Sequence, residues 1–322
     1  LFNTMLEGYD NVLNNGISSN LQNNQTPNEI STEEVGNNDN NQNYLDDNVR
    51  DTFFDVSKFE EIRNTLMSKK NVIIQGAPGV GKTFIGQKLA HSVQRGKSIG
   101  STLNLVLHEN YSYEEFMMGI RPDENGNFKL TKGIFYDFVK NAIDHPNENS
   151  VLVLDEINRA NITKIFGELM VLIEHDKRGE EHKIKLMYNG EFFYLPENIF
   201  IIGLMNTADR SLKFIDYALR RRFNFFTFEP EFNNPNFKNY LISCGVEPNI
   251  VEKIVSNLTK VNQKISDDSF ELGPGYCIGH SYFCPSSSET DMIYNNDWFL
   301  NIVNSQIKPL IEEYYSDIQI CS

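Results

Sequence analysis

Cysteine is scarce in this chain, with four among 322 residues: Cys244, Cys277, Cys284 and Cys321. None forms a Cys-x-x-Cys pair, and a disulfide framework is not expected at this size. Cys277, His280 and Cys284 lie close in sequence, but a fourth ligand is missing and the spacing fits no standard zinc pattern, so ordinary core or loop packing is expected of them. No apolar run reaches the length of a membrane span. No basic stretch followed by an apolar one opens the chain, so no signal peptide is read. The chain starts at Leu1, which is taken as the mark of a fragment, and a cytoplasmic location is the default expectation. Basic residues are outnumbered 29 to 44, a formal net charge of -15. That argues against broad nonspecific DNA binding by this chain alone and leaves room only for a local basic pore in an assembly. No Asn-Lys-x-Asp string appears, so no residue motif reads a guanine base.

What is present begins with Gly76-Ala77-Pro78-Gly79-Val80-Gly81-Lys82-Thr83, a complete G-x-x-x-x-G-K-[ST] phosphate loop. An apolar run, Asn71–Gln75, leads in, and a helical pattern through Phe84, Ile85, Lys88, Leu89 and Val93 leads out. Glycines let successive N–H groups curl round a polyphosphate, and the helix N-terminus adds partial positive charge. Lys82 is expected to reach the outer phosphates and the Thr83 hydroxyl to ligate Mg²⁺. The alternative, a glycine-rich turn with no ligand, does not account for a strand before it and a helix after it.

Composition divides the chain. Residues 1–13 place Phe2, Met5, Leu6, Tyr9, Val12 and Leu13 at helical spacing, as the end of a missing upstream domain. Residues 14–50 are rich in Asn, Gln, Ser, Asp and Glu and read as a disordered linker. From residue 51 to 229 an α/β domain is expected. Its five strand candidates are Asn71–Gln75, Leu103–Leu107, Val151–Asp155, Asn198–Met205 and Phe223–Phe228, runs suited to a parallel sheet covered by helices on both faces. An extra hairpin is predicted where Ile184–Tyr188 and Glu191–Leu195 flank Asn189-Gly190. Residues 230–322 read as a smaller, mainly helical domain, with helices near 233–242, 248–266 and 298–315, the last kinked or split by Pro309.

Four apolar residues followed by two carboxylates, Val151–Glu156, supply the second half of a phosphate-loop site. Asp155 is expected to hold Mg²⁺, and Glu156 to orient and deprotonate the attacking water. A bare helix start would also favour carboxylates there, through the helix dipole. Glu156 separates a nucleotide-gated scaffold, which can dispense with it, from an enzyme that turns over. A helix is then expected from an Asn161 N-cap through Ile162, Ile165, Phe166, Leu169, Leu172 and Ile173, ending in a polar turn at Asp176–Gly179. Lys177 fits a dipole complement; Arg159 and Arg178 fit that or contact with a neighbouring subunit's nucleotide. Asn206, at the tip of the fourth strand, can hydrogen-bond the outer phosphate and the attacking water, with Asp209 in support, although Asn, Thr, Asp and Ser all favour turns as well. Arg220-Arg221-Arg222 beside the last strand reads either as a solvated turn or as a source of a trans-acting arginine finger.

In chain order, the phosphate loop, Leu154–Asn161, Phe166-Gly167-Glu168-Leu169, Met205–Ser211 and Asp216–Phe223 resemble the McrB-like AAA+ motors of methylcytosine-dependent restriction. Leu272–Phe283 resembles the small domain of the same family, so the likeness runs from about Phe53 to about Tyr315. The resemblance implies a P-loop AAA+ module with a helical lid, assembled as a nucleotide-dependent ring, a hexamer, that prefers GTP. It also implies an McrC-like nuclease partner and translocation on DNA with cleavage near modified cytosines. Carried over by position, Asn206 is the sensor, and Arg221 and Arg222 are the arginine fingers. His280 stands where many AAA+ proteins carry a second sensor arginine. An ATP-driven MoxR or dynein-related remodelling motor is the rival within enzymes.

Overall fold

The computed structural model describes residues 56–94, 101–123, 126–208, 217–268, 272–285 and 293–321. The expected helix at 1–13, the linker at 14–50 and Asp209 lie outside the described residues.

A parallel sheet organises the first part of the chain. Helix α1 (Val56–Lys69) leads into β1 (Asn71–Gly76), and α2 (Lys82–Gln94) follows the phosphate loop. The other sheet strands are β2 (Thr102–Val106), β5 (Ser150–Asp155), β8 (Ile199–Asn206) and β9 (Asn224–Phe228). Their order is β2-β5-β8-β1-β9, and every pairing within this sheet is parallel. β1 is therefore central, with β8 on one side and β9 on the other. All five strands fall within a residue or two of their sequence-predicted positions, because each is a short apolar run whose alternate side chains serve both faces. Val72 and Ile74 of β1, Val151 and Val153 of β5, and Phe200, Ile202 and Leu204 of β8 join one buried cluster. Ile73, Leu152, Leu154, Ile199 and Ile201 join another on the opposite face. Period-two alternation places them so.

The first face packs against α1, α2 and, continuously, the C-terminal helices: Phe232, Phe237, Leu241, Ile254, Leu258, Phe283 and Phe299 belong to the same cluster as Val72. The helices there are α7 (Pro235–Ser243), α8 (Pro248–Asp267), α9 (Asn296–Ile302) and α10 (Lys308–Cys321). α8 starts with Pro248 at its first turn, where a missing N–H costs nothing, and buries Ile250, Val251, Ile254, Val255, Leu258 and Ile265. Between α9 and α10 a π-helical turn, Val303–Ile307, ends two residues before Pro309. The predicted split thus takes the form of a widened turn that absorbs the lost donor.

The second face is covered by α3 (Tyr113–Phe116), α4 (Ile134–Asp144) and α5 (Ile162–Phe166), with Phe116 stacked on Phe135 and Phe166 set at an angle to both in its core. Three differences from the sequence reading appear here. The expected long helix after Asn161 stops at Phe166: Gly167 has φ 51 and ψ -126, and the chain continues as a 3₁₀ turn, Gly167–Val171. Asn161 does cap α5, accepting from the Lys164 N–H. The Asn189-Gly190 hairpin pairs only β6 (Ile184–Lys185) with β7 (Phe192–Phe193), and Gly190 takes φ 69 at its turn. A second hairpin, β3 (Met118–Pro122) with β4 (Phe128–Lys132), has no counterpart among the predicted elements, although alternating residues around Asn125-Gly126 carry its signal. Its strands are largely solvent-exposed. The remaining short helix is α6 (Tyr217–Arg220).

Candidate active site

The parallel sheet brings the C-terminal ends of β1, β5 and β8 to one edge, and each delivers one predicted part of the site. At β1, the loop that begins at Gly76 turns through Gly79 (φ 76) and Gly81 (φ 82), a region that side chains disfavour. Five of its carbonyls are accounted for. Gly76 O accepts from Thr207 N (3.1 Å) and Lys82 Nζ (3.0 Å), and Ala77 O from Lys82 Nζ (2.9 Å). Pro78 O accepts from Gly279 N, Gly79 O from Ser281 N (both 2.9 Å), and Gly81 O from Ile85 N (3.0 Å). With Pro78 O and Gly79 O held by donors outside the loop, the loop's N–H groups are left to an anion. Burial pulls the Lys82 ammonium down to about 8, against the opposing pull of Glu156 and Asp155. A phosphate beside it would favour the charged form again.

At β5, Thr83 Oγ1 and Asp155 Oδ2 lie 3.4 Å apart, and Asp155 Oδ1 accepts from the Glu156 N–H at 2.9 Å. A hydroxyl and a carboxylate oxygen at this separation are hard donors suited to Mg²⁺, which takes few protein ligands and completes its shell with phosphate and water. Among the described residues no group of three or more His, Cys, Asp or Glu side chains is placed to hold a metal ion. Glu156 adopts φ 53, a conformation uncommon for a residue with a side chain and one that accumulates at functional sites. Its Oε2 approaches Arg159 Nε at 3.3 Å as an ion pair without hydrogen-bond geometry.

At β8, Asn206 pairs in register with Gly76, so the strand tip lies directly beside the phosphate loop. Asn158 Nδ2 donates to Asn206 O at 2.9 Å and ties the segment after Glu156 to this tip. Three buried oxygens here, Glu156 Oε2, Asn158 Oδ1 and Asn206 Oδ1, have no hydrogen-bond partner. Such groups cost free energy unless a ligand or water meets them. Asn158 was given no role from the sequence; its position two residues beyond the acidic pair was the available signal.

The arginines separate. Arg221 is exposed, while Arg222 donates from Nε to Met170 O (2.7 Å) and pairs with Glu174 (2.7 Å). Arg220 lies over the Phe225 ring at 5.7 Å. Arg178 is not at a subunit surface: it is 2% exposed and donates to Asn71 Oδ1, Ile173 O and Ile199 O. Lys177 meets Asp176 at 3.8 Å on the surface. His280 is buried, and its Nδ1 accepts from the Glu231 N–H at 3.1 Å. Cys277 and Cys284 donate to Asn262 O and His280 O respectively. A cleft of about 360 Å³ between the ends of β1, β8 and β9 and helix α8 is lined by Thr207, Thr227, Glu229, Asn262 and Gln263 among others.

Residues 71–223 match the family model of the AAA domain, dynein-related subfamily, and residues 253–319 that of the McrB α-helical lid domain. The chain is 46% identical over 277 residues to the Type IV methyl-directed restriction enzyme EcoKMcrB subunit of Escherichia coli K12, covering 85% of this chain and 60% of that protein. It is 28% identical over 211 residues to the Type II restriction enzyme BsuMI component YdiS of Bacillus subtilis 168, covering 53% of this chain and 59% of that one. The chain thus spans about three fifths of the length of these curated relatives.

Proposed function

The chain is a McrB-like AAA+ module, an AAA domain followed by a McrB-type helical lid, and from that premise we propose that it is a ring-forming, GTP-hydrolysing motor of a modification-dependent restriction complex. The reading includes a hexamer, an McrC-like nuclease subunit, DNA engaged through the assembled complex, and a cytoplasmic location. Domain limits of 51–229 and 230–322 go with it. The observation that supports it best is the convergence of Lys82, Thr83, Asp155, Glu156 and Asn206 at three neighbouring strand ends, with the buried side-chain oxygens of Asn158 and Asn206 left without hydrogen-bond partners.

In this mechanism the loop N–H groups and Lys82 bind the phosphates. Mg²⁺, held by Thr83 and Asp155, would neutralise phosphate charge when bound. Glu156 takes the proton of the attacking water, which Asn206, with Asp209, helps to orient. Arg221 of one protomer completes the neighbour's site by meeting charge that builds on the transferred phosphoryl oxygens. Arg222, the second arginine-finger candidate, is tied within its own chain to Glu174 and Met170.

Hydrolysis of GTP and ATP, measured side by side, tests the reading. GTP turnover is expected to exceed ATP turnover, and Glu156→Gln to lower it by roughly 10²-fold or more while affinity stays within about threefold. A strong preference for ATP would favour a remodelling motor instead, the reading that the dynein-related AAA match keeps open.

A further inference from the structure

We propose that the lid is part of the phosphate loop's own scaffold, with Gly279 and Ser281 acting through their main-chain N–H groups as positioning residues for the bound phosphates. This deepens the nucleotide-site reading and rests on it. Two of the loop's carbonyls, Pro78 O and Gly79 O, are held outward by lid donors alone among the backbone hydrogen bonds described above. A carbonyl released from such a bond is free to turn inward and meet the anion with its negative end. The lid donors therefore help to set which side of each peptide faces the ligand.

The contact requires glycine on both sides. Gly279 has φ -75 and ψ 161, ordinary extended backbone, so its conformation does not call for glycine. Proximity does: a Cβ there would collide with the Gly79 carbonyl and the Val80 N. Reciprocally, a Cβ on Gly79 would sit 2.6 Å from the ring of Tyr282. The same lid segment also reaches the neighbouring strand end, where Thr207 Oγ1 donates to Gly275 O at 3.0 Å directly after Asn206. Between the two donors, the buried His280 ring anchors the turn to Glu231 N and packs edge-on against Phe232 and Phe237. A rotation of the lid is thereby carried to the loop through main-chain atoms, with no arginine required. Binding free energies are reciprocal. A docked lid strengthens phosphate binding, and bound phosphate holds the lid docked.

The test uses the full chain, Mg²⁺ and a non-hydrolysable GTP analogue, with affinity measured first. Amide hydrogen exchange across residues 278–282 is expected to slow at least tenfold on saturation, and Gly279→Ala to weaken affinity at least tenfold. Unchanged exchange in this segment with nucleotide bound overturns the proposal, as does wild-type affinity in a folded Gly279→Ala variant. If that variant does not fold, the exchange measurement on the unaltered chain still decides. Failure of the unaltered chain to bind any nucleotide overturns the nucleotide-site reading as well, whereas binding with an unresponsive lid overturns the lid proposal alone.

Discussion

His280 sits 3% exposed beside the Phe232 and Phe237 rings, and burial depresses its pKa from 6.5 to about 4. The neutral ring is the form that accepts from Glu231 N. Since the folded-state value is the lower one, the unfolded chain binds the extra proton first as pH falls. The stability that depends on the neutral ring is full above pH 6.5 and is lost progressively between pH 6.5 and 4, by about 3 kcal/mol in total. Replacing His280 with Asn should flatten that part of the curve, measured as the urea midpoint from pH 7 to 4 for both proteins. Equal slopes would place the acid sensitivity elsewhere. At this scale the sequence was legible where chemistry is contiguous: Gly76–Thr83 and Asp155-Glu156 each occupy one short stretch. It was silent where a role depends on distant partners. Arg178 fits in sequence either a helix-end cation or a contact with a neighbour's nucleotide, yet its guanidinium meets Asn71, 107 residues away. His280 stands in sequence where a second sensor arginine is common, with no role of its own legible there, and it packs against Phe232 and Phe237.

Helix α5 shows how one glycine redirects an element. The apolar spacing of Ile162, Ile165, Phe166, Leu169, Leu172 and Ile173 suits a continuous helix, and those residues are buried as expected. Backbone conformation overrides the spacing at Gly167, whose φ 51 and ψ -126 are foreign to other residues and whose position leaves room for Tyr113. The break turns Glu168 toward two separate elements: its Oε1 accepts from Tyr113 OH at 2.8 Å and from Met187 N at 3.2 Å. Gly167→Ala should cost about 1–3 kcal/mol, through strain and contact of the new methyl with the Tyr113 ring. Chemical denaturation reads this out, and a stability equal to the parent's would contradict the account. Spacing alone could not reveal the break, because a 3₁₀ turn and an α-helix bury nearly the same apolar set over one or two turns. The β3–β4 hairpin escaped for a related reason: it buries little, so its strands lack the apolar runs that marked the sheet.

For the molecule as a whole, the sheet was readable because parallel strands buried on both faces are apolar throughout. Its continuity with the lid was not, since Phe232, Phe237 and Phe283 say only that something covers them. Ring function gives the whole-molecule prediction. Arg221→Ala and Glu156→Gln should each be nearly inactive alone. In an equimolar mixture about a quarter of the interfaces would combine an intact Glu156 with an intact Arg221 from the neighbour, restoring turnover in proportion. No recovery on mixing would remove Arg221 from the neighbour's site. The assembly carries a further demand, set by strand order. β1 cannot take its place until β8 and β9 exist, since Asn71 pairs with Ile201 and Val72 with Asn224. A ribosome adding 5–20 residues per second needs on the order of ten seconds to cover that gap. Through that interval the nascent Val72-Ile73-Ile74 segment waits with neither neighbour made, and a chaperone that shelters sticky, half-finished chains has its moment there.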